Sequence, residues 1–154
     1  IVSARTSRVG LKPGLLRPIC RSAIGKVLLS TMDDDQVLRI VRNVNATDTD
    51  FATPVDGKAL LAEIAECRRT GFAFSADSVT QGSSVIATRV PLDMGGQPLA
   101  VGIGVHTWQR EELREPVMQL LREALATHFP AGGACPEPRR VQALQAGYAI
   151  VKTT

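Results

Sequence analysis

Residues 83–106, SSVIATRVPLDMGGQPLAVGIGVH, contain the stretch that decides the fold class. Positions 83–92 and 99–106 each have the composition of a β-strand, and DMGGQ between them is typical of a turn. The adjacent Gly95 and Gly96 can take the positive φ angles that a tight hairpin requires. The sequence therefore predicts two antiparallel strands joined by a hairpin.

The elements predicted around this hairpin are short strands and helices. Strands are expected at 1–6, 8–12 and 72–75, and helices at 23–30, from 33–35 to about 44, after 56 to about 70, and from about 112 to 129. Since no strand–helix–strand repeat is evident, we predict an α+β fold in which helices flank an antiparallel sheet. A linker-like stretch rich in Gly and Pro follows, so we assign 1–130 to one domain and 131–154 to an extension of unknown role.

Several local predictions follow from residue types at helix ends and on helix faces. Ser22 and Asp56 are expected N-caps, and Gly71 is expected to end a helix in the left-handed conformation. Cys67 continues an apolar stripe, so we expect a buried small side chain rather than a nucleophile. The inner face of the last helix is predicted to carry Val117, Leu120, Leu121, Ala124, Leu125 and His128.

Composition excludes several classes of protein. The net charge is +3, but basic and acidic residues are interspersed, and the pairs Arg68-Arg69 and Arg139-Arg140 are too short for a phosphate-binding stripe. Aromatic residues make up only 4%, which leaves little for base stacking. No apolar run could span a bilayer and no leader opens the sequence, so we expect a cytoplasmic location.

The residues that usually carry catalysis or bind metals are sparse. Three cysteines without a CxxC pair, and two distant histidines, argue against a disulfide framework and a structural metal site. Gly25-Lys26 lacks the rest of a P-loop. Ser22 could meet His106 or His128 only through the fold. We therefore expect no enzymatic activity, no cofactor and no bound metal.

Strand 99–106 points instead to a binding surface. Alternation places four bulky apolar residues on one face and Ala100, Gly102, Gly104 and His106 on the other. Glycine within a strand costs about 0.5–1 kcal/mol relative to alanine. Two glycines at successive same-face positions leave a shallow trough, which either a ligand or a covering helix could fill.

The start of the first helix is a second candidate binding feature. The backbone N–H groups of Ala23, Ile24 and Gly25 lie at the positive end of that helix, where a carboxylate or phosphate could bind. Gly25 in the first turn lets another group approach the backbone closely. The alternative is that Ser22 simply caps the helix and water satisfies the remaining donors.

Four segments together resemble the effector-binding domain of IclR-type transcriptional regulators. They are ICRSAIGKVLL (19–29), LLAEIAECRRTGF (60–72), GSSVIA (82–87) followed by Val90-Pro91, and 97–105. The resemblance covers about 1–129. It implies a GAF-like fold, homodimers or tetramers in the cytoplasm, and a small organic acid as effector. It also implies a winged helix-turn-helix for DNA binding, which this sequence does not contain, and a first helix and strand that precede Ile1.

The resemblance also implies a pocket. In members that bind very small keto or aldehyde acids, the pocket combines backbone groups of the loop matching 22–25 with an acid, a cysteine and two serines. The matching positions here are Ser75, Val85, Gly102 and Gly104, so all four polar side chains are changed. The candidate ligand-binding set is Ser22, Ala23, Ile24, Gly25, Ser75, Ser83, Val85, Gly102 and Gly104.

These changes leave two hypotheses. One is a wider, more apolar pocket for a bulkier effector such as an aromatic acid, with its carboxylate at the N–H groups of Ile24 and Gly25. The other is a degenerate site in a domain that serves only for oligomerisation. Arg17, Arg21 and Arg89 could each pair with a carboxylate, and the sequence singles out none of them.

Overall fold

The computed structural model of the chain describes residues 16–48, 52–79, 81–93, 97–129 and 148–150. In chain order the elements are β1 (Leu16–Pro18), α1 (Ala23–Leu29), α2 (Asp34–Thr47), α3 (Gly57–Thr70), β2 (Phe72–Ala76), β3 (Ser83–Asp93), β4 (Pro98–His106), a 3-10 turn (Thr107–Gln109), α4 (Arg110–His128) and β5 (Tyr148–Ile150). The strands predicted at 1–6 and 8–12, and most of 131–154, lie outside the described residues.

The predicted hairpin is the centre of a three-stranded antiparallel sheet with the order β2-β3-β4. Phe72 of β2 pairs with Thr88 of β3, and Val85 of β3 pairs with Gly104 of β4. A second, two-stranded sheet pairs β1 with β5, and neither of these segments was predicted as a strand. The α+β fold class with helices beside an antiparallel sheet is confirmed.

The helices begin and end at residues whose side chains or backbone angles explain the boundary. Ser22 Oγ accepts from the backbone N–H of Gly25, and Asp56 accepts from two N–H groups at the start of α3. Asp33 and Gln36 form a capping box at the start of α2. Gly71 ends α3 with φ 82°. The predicted caps at Ser22 and Asp56 and the stop at Gly71 are therefore confirmed.

The two faces of the three-stranded sheet are covered by different helices. On one face the buried cluster contains Ala23 and Val27 of α1 and Cys67 of α3, packed on Ala73 and Ala87. On the other face α4 packs on the sheet through a second cluster, which consists of Phe72, Ile86, Val117, Met118 and Leu121. Cys67 is thus a buried core residue, as predicted.

Strand β2 is also held on the α4 side by stacking between arginines and aromatic rings. The guanidinium carbon of Arg114 lies 4.1 Å from the centroid of the Phe74 ring, and that of Arg122 lies 4.9 Å from the centroid of Phe72. Such cation–π contacts stabilise by about 0.5–1 kcal/mol at exposed sites. They attach two turns of α4 to successive same-face positions of one strand.

The inner face predicted for the last helix is partly wrong. Met118 is buried, whereas Leu120 is 54% exposed, and Ala124 and His128 are exposed as well. One residue corresponds to about 100° around a helix, so a face centred between 117, 118 and 121 turns Leu120 to the flank. The sequence could not distinguish the observed stripe, which contains Met118 and Leu121, from the predicted stripe with Leu120, because both contain leucine.

Two helix boundaries also differ from the predictions. Helix α2 continues to Thr47, beyond the end that was predicted at about 44. Helix α4 begins at Arg110 rather than at about 112, and Pro116 lies inside it. Pro116 is exposed, and water can therefore hydrate the carbonyl group that loses its helical hydrogen bond.

The turn before α1 folds back tightly onto that helix. The backbone N–H groups of Arg21 and Ser22 donate to Pro18 O at 3.2 and 3.0 Å. A Cβ atom at Gly25 would lie 2.0 Å from Ile19 O and 2.6 Å from Ile19 C. Only glycine fits at position 25, because rigid backbone occupies the space of a side chain.

We expect Gly25→Ala to lower the free energy of unfolding by about 3 kcal/mol, because the methyl group must displace the backbone of Ile19. Gly57→Ala is the matched control: its Cβ would meet the mobile end of the Leu38 side chain at 2.9 Å, and not backbone. That control is expected to stay within about 1 kcal/mol of the parent chain. Urea unfolding followed by circular dichroism measures both, and equal effects would contradict the argument.

Candidate ligand-binding site

The strand register places the predicted pocket residues of the sheet on one face. Ser75, Val85 and Gly104 form one row across the three strands, and Ala73, Ala87 and Gly102 form the next. Residues paired in this way project to the same side of a sheet. We call this side, which α1 covers in part, the glycine face.

The two glycines of β4 have different surroundings on this face. A Cβ atom at Gly102 would lie 3.1 Å from Val85 Cγ1 and 3.2 Å from Ala87 Cβ. Gly102 therefore permits close packing with its own neighbours in the sheet. Gly104 is exposed, and the single heavy atom near its added Cβ would be Ser84 O at 4.0 Å. The face is thus open at Gly104.

Helix α1 covers the middle of the glycine face rather than all of it. Ala23 of α1 and Ala87 of β3 are both completely buried. Ile24 and Val85 are only partly buried at the margin of the same cluster. Helix α1 therefore covers the row of Ala73, Ala87 and Gly102, as the alternative of a covering helix predicted. The row that contains Gly104 has an accessible surface.

The N–H group and the free space at Gly25, which favoured an anion site at the start of α1, are both used by other groups of the protein. The backbone N–H of Gly25 donates to Ser22 Oγ at 3.1 Å. The close approach that Gly25 permits is made by the backbone of Ile19. The helix has only seven residues. The local geometry of this helix start is therefore that of a capped and tightly docked turn.

Lys26 fixes α1 between the sheet and α3. Its Nζ donates to Phe74 O at 3.1 Å and lies 2.6 Å from Glu63 Oε2. The residue is only 8% exposed, so its charge needs these partners. This role was not predicted from the sequence, although a lysine within an otherwise apolar helical stretch was a signal for a buried pair.

The rim of the site beside Ser75 is fastened by Asp77. This residue has φ 52°, and its Oδ1 accepts from Gly82 N at 2.5 Å and from Thr107 Oγ1 at 3.0 Å. Ser78 Oγ donates to Arg21 O at 3.0 Å, which connects this rim to the turn before α1. These bonds hold the end of the sheet and the start of α1 in one arrangement. Asp77 was not singled out from sequence.

The remaining predicted positions lie at the end of the hairpin, on α4 and at the start of α1. Ser83 is buried and pairs with His106 at the end of the hairpin. His128 is exposed near the end of α4, and Ser22 Oγ serves the helix cap. Within the described part of the chain, no group of three or more His, Cys, Asp or Glu could hold a metal ion.

Among the described residues, α4 is the longest helix, and none of the helices is long and apolar enough to cross a bilayer.

Comparison with known proteins identifies the family. The sequence model described as bacterial transcriptional regulator IclR, C-terminal, matches residues 1–127. The chain therefore belongs to the family of IclR C-terminal domains, and the resemblance found in the sequence is confirmed. The fold is the GAF-like α+β fold of these effector domains. A search of curated proteins finds no match.

Solved structures support the same fold. The effector domain of an IclR-type regulator from Acinetobacter sp. ADP1 is 23% identical, with a TM-score of 0.76 over 86% of this chain and 77% of that one. The C-terminal domain of the E. coli regulator KdgR is 29% identical, with a TM-score of 0.57 over 71% and 67%. A regulator from Rhodococcus sp. RHA1 is 21% identical, with a TM-score of 0.65 over 80% of this chain and 50% of that one.

The buried thiol next to this site predicts a dependence of stability on pH. Burial raises the pKa of Cys20 from 9.0 to about 11, Arg21 opposes the rise and Asp48 adds to it. The folded chain keeps the thiol proton in this range, whereas the unfolded chain loses it. The contribution of Cys20 is therefore complete below about pH 9 and is lost as the pH rises toward about 11.

We expect the urea midpoint of the parent chain to fall more between about pH 8 and pH 10.5 than that of Cys20→Ala. The variant lacks the titrating thiol and retains Cys67, whose pKa is also raised by burial. An identical fall in both chains would show that Cys20 does not contribute.

Proposed function

We propose that this chain is the ligand-sensing and oligomerisation domain of a transcriptional regulator, and that its effector is a small organic acid. Membership of the IclR C-terminal family supports the regulatory role, since the matched relatives are domains of regulators and not enzymes. The observation that carries the sensing role is the open surface at Gly104, beside Ser75 and Val85 on the glycine face. No catalytic step, cofactor or metal is part of this proposal.

The chemistry of the glycine face favours a ligand with an apolar body. Alanine, valine and glycine make up most of the two rows, and Ser75 is the polar side chain at the margin. Small side chains leave room for a bulkier effector than a keto or aldehyde acid, and an aromatic acid fits this description. We retain Ser22, Ala23, Ile24, Gly25, Ser75, Ser83, Val85, Gly102 and Gly104 as the proposed ligand-binding set.

The setting of the domain follows from the family. We propose homodimers or tetramers in the cytoplasm and contact with DNA only through a winged helix-turn-helix domain outside this sequence. Residues 1–130 would form the effector-binding domain, and 131–154 an extension of unknown role.

A second candidate function is oligomerisation alone. The tight packing of Ala23 on Ala87 favours it, because α1 closes the centre of the face with side chains of the protein itself. The two functions differ in whether any small acid stabilises the folded chain.

A thermal shift screen with aromatic and short aliphatic acids separates the two functions. A true ligand at 100 times its Kd should add about 2.7 kcal/mol to the free energy of unfolding. For a chain of this size the melting temperature should rise by roughly 5–10 °C. If no acid in a broad panel raises the melting temperature, oligomerisation alone is the better description.

Gly104→Leu tests the location of the site. The new side chain should occupy the open surface and abolish stabilisation by the acid found in the screen, while the fold is kept because only Ser84 O lies near the added Cβ. Ala124→Leu adds the same side chain to an exposed position of α4, on the other side of the sheet, and should bind normally. Retained affinity in Gly104→Leu would place the ligand elsewhere.

A further inference from the structure

Ser83 differs from the other buried polar residues of the described chain in the state of its side chain. Four of these five residues form hydrogen bonds through their side chains; they are Ser22, Lys26, Ser84 and Thr88. Ser83 is only 9% exposed, and its hydroxyl makes no hydrogen bond to any residue that the structure describes. Burial of a hydroxyl without a partner costs free energy, because its hydrogen bonds to water are lost. Ser83 is therefore the buried side chain that gains most from an additional partner.

Ser83 lies on the glycine face, next to the row that is open to solvent. It precedes Val85 by two positions on β3 and pairs with His106 of β4, so its side chain projects to the same side as Gly104. Ser75, which pairs with Val85, lies diagonally across from Ser83, and such diagonal positions are about 7–8 Å apart. The two serines thus stand beside an apolar floor formed by Val85 and Gly104.

This floor is separate from the part of the face that α1 covers. Helix α1 packs on Ala87, whereas Val85 is at the margin of that cluster together with Ile24. Gly104 is exposed, and a Cβ atom there would meet a single heavy atom, Ser84 O at 4.0 Å. A small ligand on this row would therefore contact Ser83 at one end without displacing α1.

The charges near Ser83 favour an uncharged group as its partner. The backbone N–H of Asp77 donates to Ser83 O at 3.0 Å, so this acidic residue is a direct neighbour on β2. The Asp77 carboxylate accepts from Gly82 N and Thr107 Oγ1 and does not bond Ser83. A second carboxylate at Ser83 would be repelled by this charge, whereas a hydroxyl or carbonyl group would not. Asp93, which the register places on the same face, lies at the opposite end of β3.

We propose that Ser83 hydrogen-bonds an uncharged oxygen of the effector, while the apolar body of the effector lies over Val85 and Gly104. This inference rests on the proposed function and narrows the ligand class to acids that carry a hydroxyl or carbonyl group at the end opposite the carboxylate. A serine hydroxyl can both donate and accept, so it suits either group. Same-face positions are about 7 Å apart, a distance that a hydrogen bond, an alcohol carbon and part of a benzene ring span together.

The compounds para-(hydroxymethyl)benzoate and para-ethylbenzoate test this role, because they differ only in a hydroxyl group that replaces a methyl group. The parent chain should bind the hydroxymethyl compound about ten times more tightly by isothermal titration calorimetry, since the ethyl compound leaves the Ser83 hydroxyl without a partner. In Ser83→Ala the two affinities should agree within about twofold, mainly because the hydroxymethyl compound binds more weakly. Ser84→Ala is the matched control: this neighbouring serine is also buried but faces the other side of the sheet, so the preference should persist.

A second measurement needs no ligand. Ser84 Oγ donates to Thr107 Oγ1, and the Ser83 hydroxyl has no comparable partner among the described residues. Ser84→Ala should therefore lower the melting temperature of the ligand-free chain, and Ser83→Ala should not. An equal fall in both variants would mean that the protein already satisfies the Ser83 hydroxyl, and it would overturn the proposal.

Three calorimetric results would also overturn the proposal. They are equal affinity of the parent chain for the two compounds, binding of neither compound, and an unchanged preference in Ser83→Ala. Failure of the proposed function is distinguishable from these results. If another acid from the thermal shift screen stabilises the parent chain and Ser83→Ala equally, but not Gly104→Leu, the sensing role stands and only the role of Ser83 is rejected.

Discussion

The contact between the backbone of Ile19 and Gly25 determines where α1 lies, and the rest of the site depends on that position. Because the carbonyl of Ile19 occupies the place of a side chain at 25, the turn and the helix approach at backbone distance. The helix then brings Ala23 and Val27 onto the sheet and Lys26 onto Phe74 O. A helix displaced outward by even one methyl group would lose this packing, since protein interiors have little free volume to absorb the shift.

Local sequence patterns were sufficient for the elements whose causes are local. The hairpin, the caps at Ser22 and Asp56 and the left-handed end at Gly71 depend on residues within a few positions of each other. The glycine face could also be predicted, because alternation along a strand fixes which residues share a side. Alternation along the strand could not show that α1 covers Ala87 and leaves Gly104 accessible, because this depends on the angle at which a distant helix crosses the sheet.

The features that sequence reasoning missed have partners far away along the chain. Gly25 was interpreted as room for a ligand, and the group that uses this room is Ile19. Lys26 was considered only as part of an incomplete phosphate loop, but its partners are on β2 and α3. The buried stripe of α4 was misassigned because Leu120 and Met118 are equally apolar, and only contact with β2 and β3 selects between them. Tertiary contacts decided each of these points.

One residue of β2 receives a cation from each side of the sheet. The carbonyl oxygen of Phe74 accepts from Lys26 of α1, while its ring lies beneath Arg114 of α4. The two helices are therefore joined mechanically through a single strand position, without touching each other at that point. The position of α1 and the packing of α4 thus share one anchoring residue, so a substitution at Phe74 would disturb the attachment of both helices.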